Sequence, residues 1–158
     1  MMKMMRYSLV AAVVIGAQAL LASTPAAAAD KVCKVAIAGN DMMQYDKKEI
    51  SVAADCTEIE VTLTHTGKLP KEAMGHNWVL VKTDDVTAVA NAGMGAGVAN
   101  NYIQAGDKRV IASTKLVGGG ESASVTFPAS KVPKGGSYTY LCTFPGHNAL
   151  MRGTFKIG

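Results

Sequence analysis

Between Tyr138 and Met151 the chain reads Tyr-Thr-Tyr-Leu-Cys-Thr-Phe-Pro-Gly-His-Asn-Ala-Leu-Met, which brings a thiol (Cys142), an imidazole (His147) and a thioether (Met151) within ten residues. Alone, a cysteine in a core is usually a small hydrophobe and a methionine a gap filler. Together, at spacings of x4 and x3, the three donors point to a soft or borderline metal ion. Tyr138 and Tyr140 read as core residues of a strand that Cys142 ends. Pro145 and Gly146 then turn the chain so that His147 faces back toward Cys142, and Met151 begins the last strand. One loop therefore offers three ligands and needs one more from elsewhere.

The candidate for that fourth position is His76, in Met74-Gly75-His76-Asn77-Trp78-Val79-Leu80. Strand alternation puts His76, Trp78 and Leu80 on one face, so a core-facing Trp78 directs His76 the same way. Two imidazoles, one thiolate and a weak, long axial methionine describe a blue-copper site. The third histidine, His65, ends a strand at the Thr66-Gly67 turn and has no spacing to a second ligand. It reads as structural. Gly93, Gly95 and Gly97 imitate part of a dinucleotide fingerprint, but no strand–helix–strand unit surrounds them.

The elements that must hold these side chains are mostly short strands. Ile50 and Val52, then Ile59, Val61 and Leu63, then Val125 and Phe127, then Phe155 and Ile157 alternate with polar residues, the period of half-buried strands. Turn residues separate them at Thr66-Gly67-Lys68, Gly118-Gly119-Gly120 and Pro133-Lys134-Gly135-Gly136. An antiparallel sandwich or barrel is predicted. From about Asp84 to about Gly106 the pattern changes, and Val86, Val89 and Ala90 recur at helical spacing. One short helix is expected there, outside the sheets.

At the N-terminus Lys3 and Arg6 precede an uncharged apolar run from Leu9 to Leu21 and then Ala27-Ala28-Ala29, the three parts of a secretory signal peptide. Thirteen residues cover about 20 Å as a helix, short of the roughly 30 Å that a membrane span requires. Removal of residues 1–29 is expected, leaving one domain over residues 30–158 and no membrane anchor. Losing Lys3 and Arg6 takes the formal charge from +4 to +2. The remaining Lys and Arg are scattered among Asp and Glu, which argues against a nucleic-acid partner. In an oxidising compartment three cysteines suggest a pair and a remainder. Cys33 and Cys56 lie together in the N-terminal third and form the predicted disulfide; Cys142 is left for the metal.

The Cys142-x4-His147-x3-Met151 spacing, with Gly75-His76-Asn77 far upstream, resembles the azurin family of small type 1 blue-copper proteins in the cupredoxin superfamily. The likeness extends to the Cys33–Cys56 pair, the lone Trp78, the helical segment and the run from Cys142 to His147. It implies an all-β, cupredoxin-like Greek-key sandwich or barrel with one helical flap outside the sheets, and a monomer. It also implies a periplasmic one-electron carrier with a single copper ion cycling between Cu(I) and Cu(II). By position, it makes the Gly75 carbonyl a distant axial contact, has Asn77 and Phe144 support the Cys142 sulfur, and makes His65 a structural or proton-sensitive neighbour. It further implies that the His147 edge reaches the surface amid Met43, Leu69, Met74, Met94, Phe144, Pro145, Ala149 and Leu150, where c-type cytochromes, copper nitrite reductase or amine dehydrogenases would dock. A copper enzyme would need an open position or a second centre, and with two of three histidines assigned the chain lacks ligands for either. A protein that stores copper without redox work is the competing reading.

Overall fold

The computed structural model describes residues 30–158, so the predicted signal segment 1–29 lies outside the described residues. Nine strands follow in order: β1 (Val32–Asn40), β2 (Gln44–Tyr45), β3 (Glu49–Val52), β4 (Glu58–His65), β5 (Val79–Lys82), β6 (Ala112–Ser113), β7 (Ser122–Pro128), β8 (Tyr138–Leu141) and β9 (Arg152–Ile157). They form two sheets, ordered β2-β1-β4-β7 and β3-β9-β8-β5-β6. Alternation decides the inner faces. In β4, Ile59, Val61, Leu63 and His65 are buried and the residues between them half-buried. This strand thus delivers a histidine to the last inward position at one end of the core.

Pairing departs from the antiparallel expectation at two places. β1 runs parallel to β4, with Val32 opposite Glu58 and Gly39 opposite His65, and β3 runs parallel to β9. The reason is topological. Parallel neighbours require a crossover rather than a tight turn, and the chain provides one by passing through β3 in the opposite sheet between β1 and β4. Alternation reports which face is buried but is blind to the direction of the neighbouring strand.

Trp78 sits at the centre of the core with no exposed surface, its ring 6.0 Å from Tyr140, 6.1 Å from Phe155 and 6.3 Å from Phe127 between centroids. Tyr138 and Tyr140 face the same core from β8, as predicted. β8 is buried along its whole length. Its other face is covered by the predicted helix, α2 (Val86–Ala96), whose Val86, Val89 and Ala90 pack on Val79, Val81 and Leu141. A single turn, α1 (Lys71–Met74), precedes His76. No helix among the described residues is long and apolar enough to cross a membrane.

Cys33 and Cys56 form a disulfide with their Cα atoms 5.8 Å apart. It ties the starts of β1 and β4 together, whereas Asn40 and His65, at the other ends of those strands, border the site described next. Eight residues of parallel register separate the two ends, about 25 Å at strand rise. The disulfide therefore supports the sandwich and not the site.

Candidate metal centre

Three chain segments converge at the β1/β4 end of the core. His76 forms a bridge with Val117, each donating its N–H to the other's carbonyl (2.9 and 2.8 Å). Trp78 N–H donates to the Thr114 hydroxyl (3.0 Å). His76 is thus held just before β5 and not within it. Cys142 stands one residue past β8, and its N–H donates to the Met151 carbonyl (2.9 Å), closing a loop whose two ends both belong to the site. Within the loop Gly146 takes φ +81°, a conformation that favours glycine, and Met151 N–H donates to the His147 carbonyl (2.8 Å).

The result is a buried cluster of His76, Cys142 and His147, whose ligand atoms lie within 4.8 Å of one another. Cys142 Sγ is 3.7 Å from His147 Nδ1. His76 Nε2 lies 2.8 Å from the Asn40 carbonyl, which can only accept, so Nε2 carries the hydrogen and Nδ1 keeps a lone pair. His76 Nδ1 is buried and has no hydrogen-bond partner. An orphaned acceptor of this kind costs stability in a folded protein, and a metal ion beside Cys142 and His147 would satisfy it. The residues fit a bound copper.

Protonation favours the same reading. Burial, and then the neighbouring His76 and His65, holds the His147 pKa down at about 4. Burial foremost also lowers His76. Both rings therefore present neutral nitrogen near pH 7. Burial pushes the Cys142 thiol up to about 11, against the opposing pull of the Asn77 and Phe144 backbone N–H groups that face its sulfur. A cation that binds must displace that proton, so metal uptake is coupled to proton release.

Met151 has no exposed surface. Gly39 packs against both Met151 and His76: a Cβ there would lie 3.2 Å from Met151 Cε and 2.8 Å from His76 Cδ2. The absence of a side chain at Gly39 leaves the ring its place. The Gly75 carbonyl oxygen is 3.9 Å from Cys142 Sγ. His65 stacks on His76 at 4.3 Å between centroids. Its own nitrogens are both taken, Nδ1 accepting from Gly67 N–H (3.0 Å) and Nε2 donating to the Met74 carbonyl (2.9 Å), so it has no lone pair to offer.

His147 keeps 3% of its surface exposed, with the Phe144 ring beside it at 4.4 Å between centroids. The apolar surface around it differs from expectation in part. Of the apolar residues expected around it, Leu69, Met94, Pro145, Ala149 and Leu150 are exposed, whereas Met43, Met74 and Phe144 are half-buried. Met43 and Phe144 pack against the core itself.

Sequence reading missed the residues that clamp Asn77. Its side-chain nitrogen donates to the Asn101 carbonyl and the Thr143 hydroxyl (both 2.7 Å), and its side-chain oxygen accepts from Thr143 N–H (2.9 Å). The Tyr45 hydroxyl donates to the Asn77 carbonyl. The available signal was slight: two polar residues, Asn77 and Thr143, each adjacent to a candidate ligand.

Residues 31–158 match the family described as copper binding proteins, plastocyanin/azurin family. The azurin of Bordetella pertussis is 54% identical over 144 residues, covering 91% of this chain and 96% of that protein. Azurin-1 of Alcaligenes xylosoxydans xylosoxydans is 56% identical over 125 residues, 79% of this chain and 97% of its own. Among solved structures, the azurin Az-iso2 of the obligate methylotroph Methylomonas sp. strain J superposes with a TM-score of 0.77 at 48% identity, over 80% of this chain and 98% of the other. With a buried two-histidine, one-cysteine cluster on a two-sheet β-sandwich, the chain belongs to the plastocyanin/azurin family of copper-binding proteins.

Proposed function

We propose that this protein is a periplasmic one-electron carrier. The observation that carries this reading is the preformed cluster, in which His76 Nδ1, His147 Nδ1 and Cys142 Sγ are already gathered, buried and braced before any metal is considered. Copper bound there supplies a single-electron couple between Cu(I) and Cu(II), for which mixed nitrogen and sulfur donors suit both states. His76, Cys142 and His147 would hold the ion most closely, with the Met151 thioether and the Gly75 carbonyl as weaker donors nearby. The bridge to Val117 and the Cys142–Met151 hydrogen bond hold these donors in place, so oxidation and reduction need little rearrangement. Four donors from the chain leave no position for a substrate, which argues for a carrier and against an enzyme.

The mature protein in this reading is a monomeric domain of residues 30–158, exported by a signal segment at 1–29 that is then removed. Electrons enter and leave past His147, beneath the exposed loop of Pro145, Ala149 and Leu150. Redox proteins such as c-type cytochromes, copper nitrite reductase or amine dehydrogenases dock there transiently. The test is a visible spectrum of the copper-loaded protein before and after ascorbate. An intense blue band that bleaches on reduction supports the carrier; a protein that binds copper but shows no such band, or keeps it under ascorbate, is a store.

Met151→Leu should retain the blue band and raise the reduction potential, because loss of a donor to the oxidised ion favours the reduced one. The expected rise is at least about 59 mV, a tenfold change in a one-electron equilibrium. An unchanged potential in redox titration would remove Met151 from the ligand set. Leu150→Lys, at a side chain 53% exposed, should slow electron exchange with a c-type cytochrome about tenfold, equivalent to about 1.4 kcal/mol of docking free energy, and leave the visible spectrum unaltered. Equal stopped-flow rates for variant and parent would move the docking face elsewhere.

A further inference from the structure

The Asn77 peptide lies between the metal cluster and the aromatic core, and Tyr45 is the core's contact with it. Tyr45 is buried, 4% exposed, at the end of the short strand β2. Its ring packs 5.7 Å from that of Tyr140 between centroids, and its hydroxyl donates to the Asn77 main-chain carbonyl. Its acidity is suppressed first by burial and next by the nearby Cys142, so the phenol keeps its proton and remains a donor. On the other side of the same residue, the Asn77 backbone N–H faces the Cys142 sulfur. The preceding residue is His76 and the following one Trp78, which is anchored on Thr114. Asn77 is therefore fixed at its side chain by Thr143 and Asn101 and at its carbonyl by Tyr45 alone among the described residues.

We propose that Tyr45 is a positioning residue for the metal centre: its buried hydroxyl pins the Asn77 carbonyl and so keeps the Asn77 N–H directed at the Cys142 sulfur and His76 directed at the cluster. This role presupposes the copper-carrier function proposed above and adds a means of setting the potential. A hydrogen bond to sulfur is stronger when the sulfur carries more negative charge. Sulfur is richer in charge opposite a reduced ion, which withdraws less from it. The Asn77 N–H thus favours the reduced state, and whatever keeps it aligned raises the potential. Without the Tyr45 hydroxyl the buried Asn77 carbonyl has no donor, and unpaired buried acceptors drive local rearrangement.

The experiment compares Tyr45→Phe with Tyr140→Phe. Both retain their rings, but the Tyr140 hydroxyl donates to the Lys47 carbonyl (2.7 Å) and has no contact with Asn77. In the metal-free proteins, amide hydrogen exchange by NMR should show the Asn77 N–H exchanging about tenfold faster in Tyr45→Phe than in the parent, with Tyr140→Phe matching the parent at that amide. In the copper-loaded proteins, Tyr45→Phe should have a lower reduction potential than the parent. Unchanged Asn77 exchange, or an unchanged potential, would overturn the proposal. So would faster exchange spread evenly over the core amides, since that would reduce Tyr45 to a packing residue. The metal-free measurement is independent of the parent's blue, ascorbate-bleached spectrum, so failure here is distinguishable from failure of the carrier reading.

Discussion

Cys142→Ser should abolish the intense blue band completely and weaken copper binding by more than about 100-fold, a loss beyond what outlying partners of a metal site ordinarily cause. The thiolate is the one soft anionic donor in the cluster; His76 and His147 are neutral and Met151 is a weak thioether. A serine hydroxyl at the same position stays protonated and is hard, a poor match for Cu(I). The fold should survive. The side chain differs by one atom, and the backbone hydrogen bond from residue 142 to the Met151 carbonyl does not depend on it. The buried hydroxyl replaces a sulfur whose contacts with His147 Nδ1 (3.7 Å) and the Gly75 carbonyl (3.9 Å) are long for a hydroxyl, so a cost of about 1–3 kcal/mol is expected. Visible absorption and isothermal titration with copper, alongside circular dichroism of the metal-free protein, measure the three effects separately. A folded variant that remains blue would show that the sulfur is not the source of the colour.

What could be read from sequence was what lies close together in the chain or repeats with a period. Cys142, His147 and Met151 fall in one loop, and their spacing needs no knowledge of the fold. Val86, Val89 and Ala90 announce α2 by their period, and Ile59, Val61 and Leu63 announce the inner face of β4. His76 required one further step, since its direction was inferred from Trp78. The parallel pairings of β1 with β4 and of β3 with β9 could not be inferred, because alternation is identical in parallel and antiparallel strands. How narrow the exposed edge of His147 is could not be read, because it depends on where the Phe144 ring folds. Tyr45, Asn101 and Thr143 were missed for a related reason: each meets Asn77 across 24 to 66 residues of sequence. Polar contacts at such separations leave no local trace, although they determine how firmly the donors are held.

That clamp leads to the second large effect. Asn77→Leu should lower the stability of the metal-free protein by about 4 kcal/mol, because Asn77 is fully buried and its side chain serves three groups at once. Leucine has similar bulk but no polar atoms. The Thr143 N–H loses its acceptor, and the Asn101 carbonyl and Thr143 hydroxyl lose the donor they share. Each group left unpaired in the interior costs about 1–3 kcal/mol, partly offset by the apolar surface that leucine buries. At roughly 4 °C per kcal/mol for a domain of this size, the melting temperature should fall by about 15 °C. Copper should recover some of this loss, since a metal bound only by the folded form adds its binding free energy to stability. The recovery should be smaller than in the parent, because Thr143 adjoins Cys142 and Asn77 adjoins His76, so the same hydrogen bonds that brace the fold also hold two of the proposed ligands in register. Calorimetric melts of both proteins with and without copper give all four values. A variant that melts within 3 °C of the parent would show that the Asn77 bonds are dispensable, and that the aromatic core and β-ladders alone hold His76 and Cys142 together.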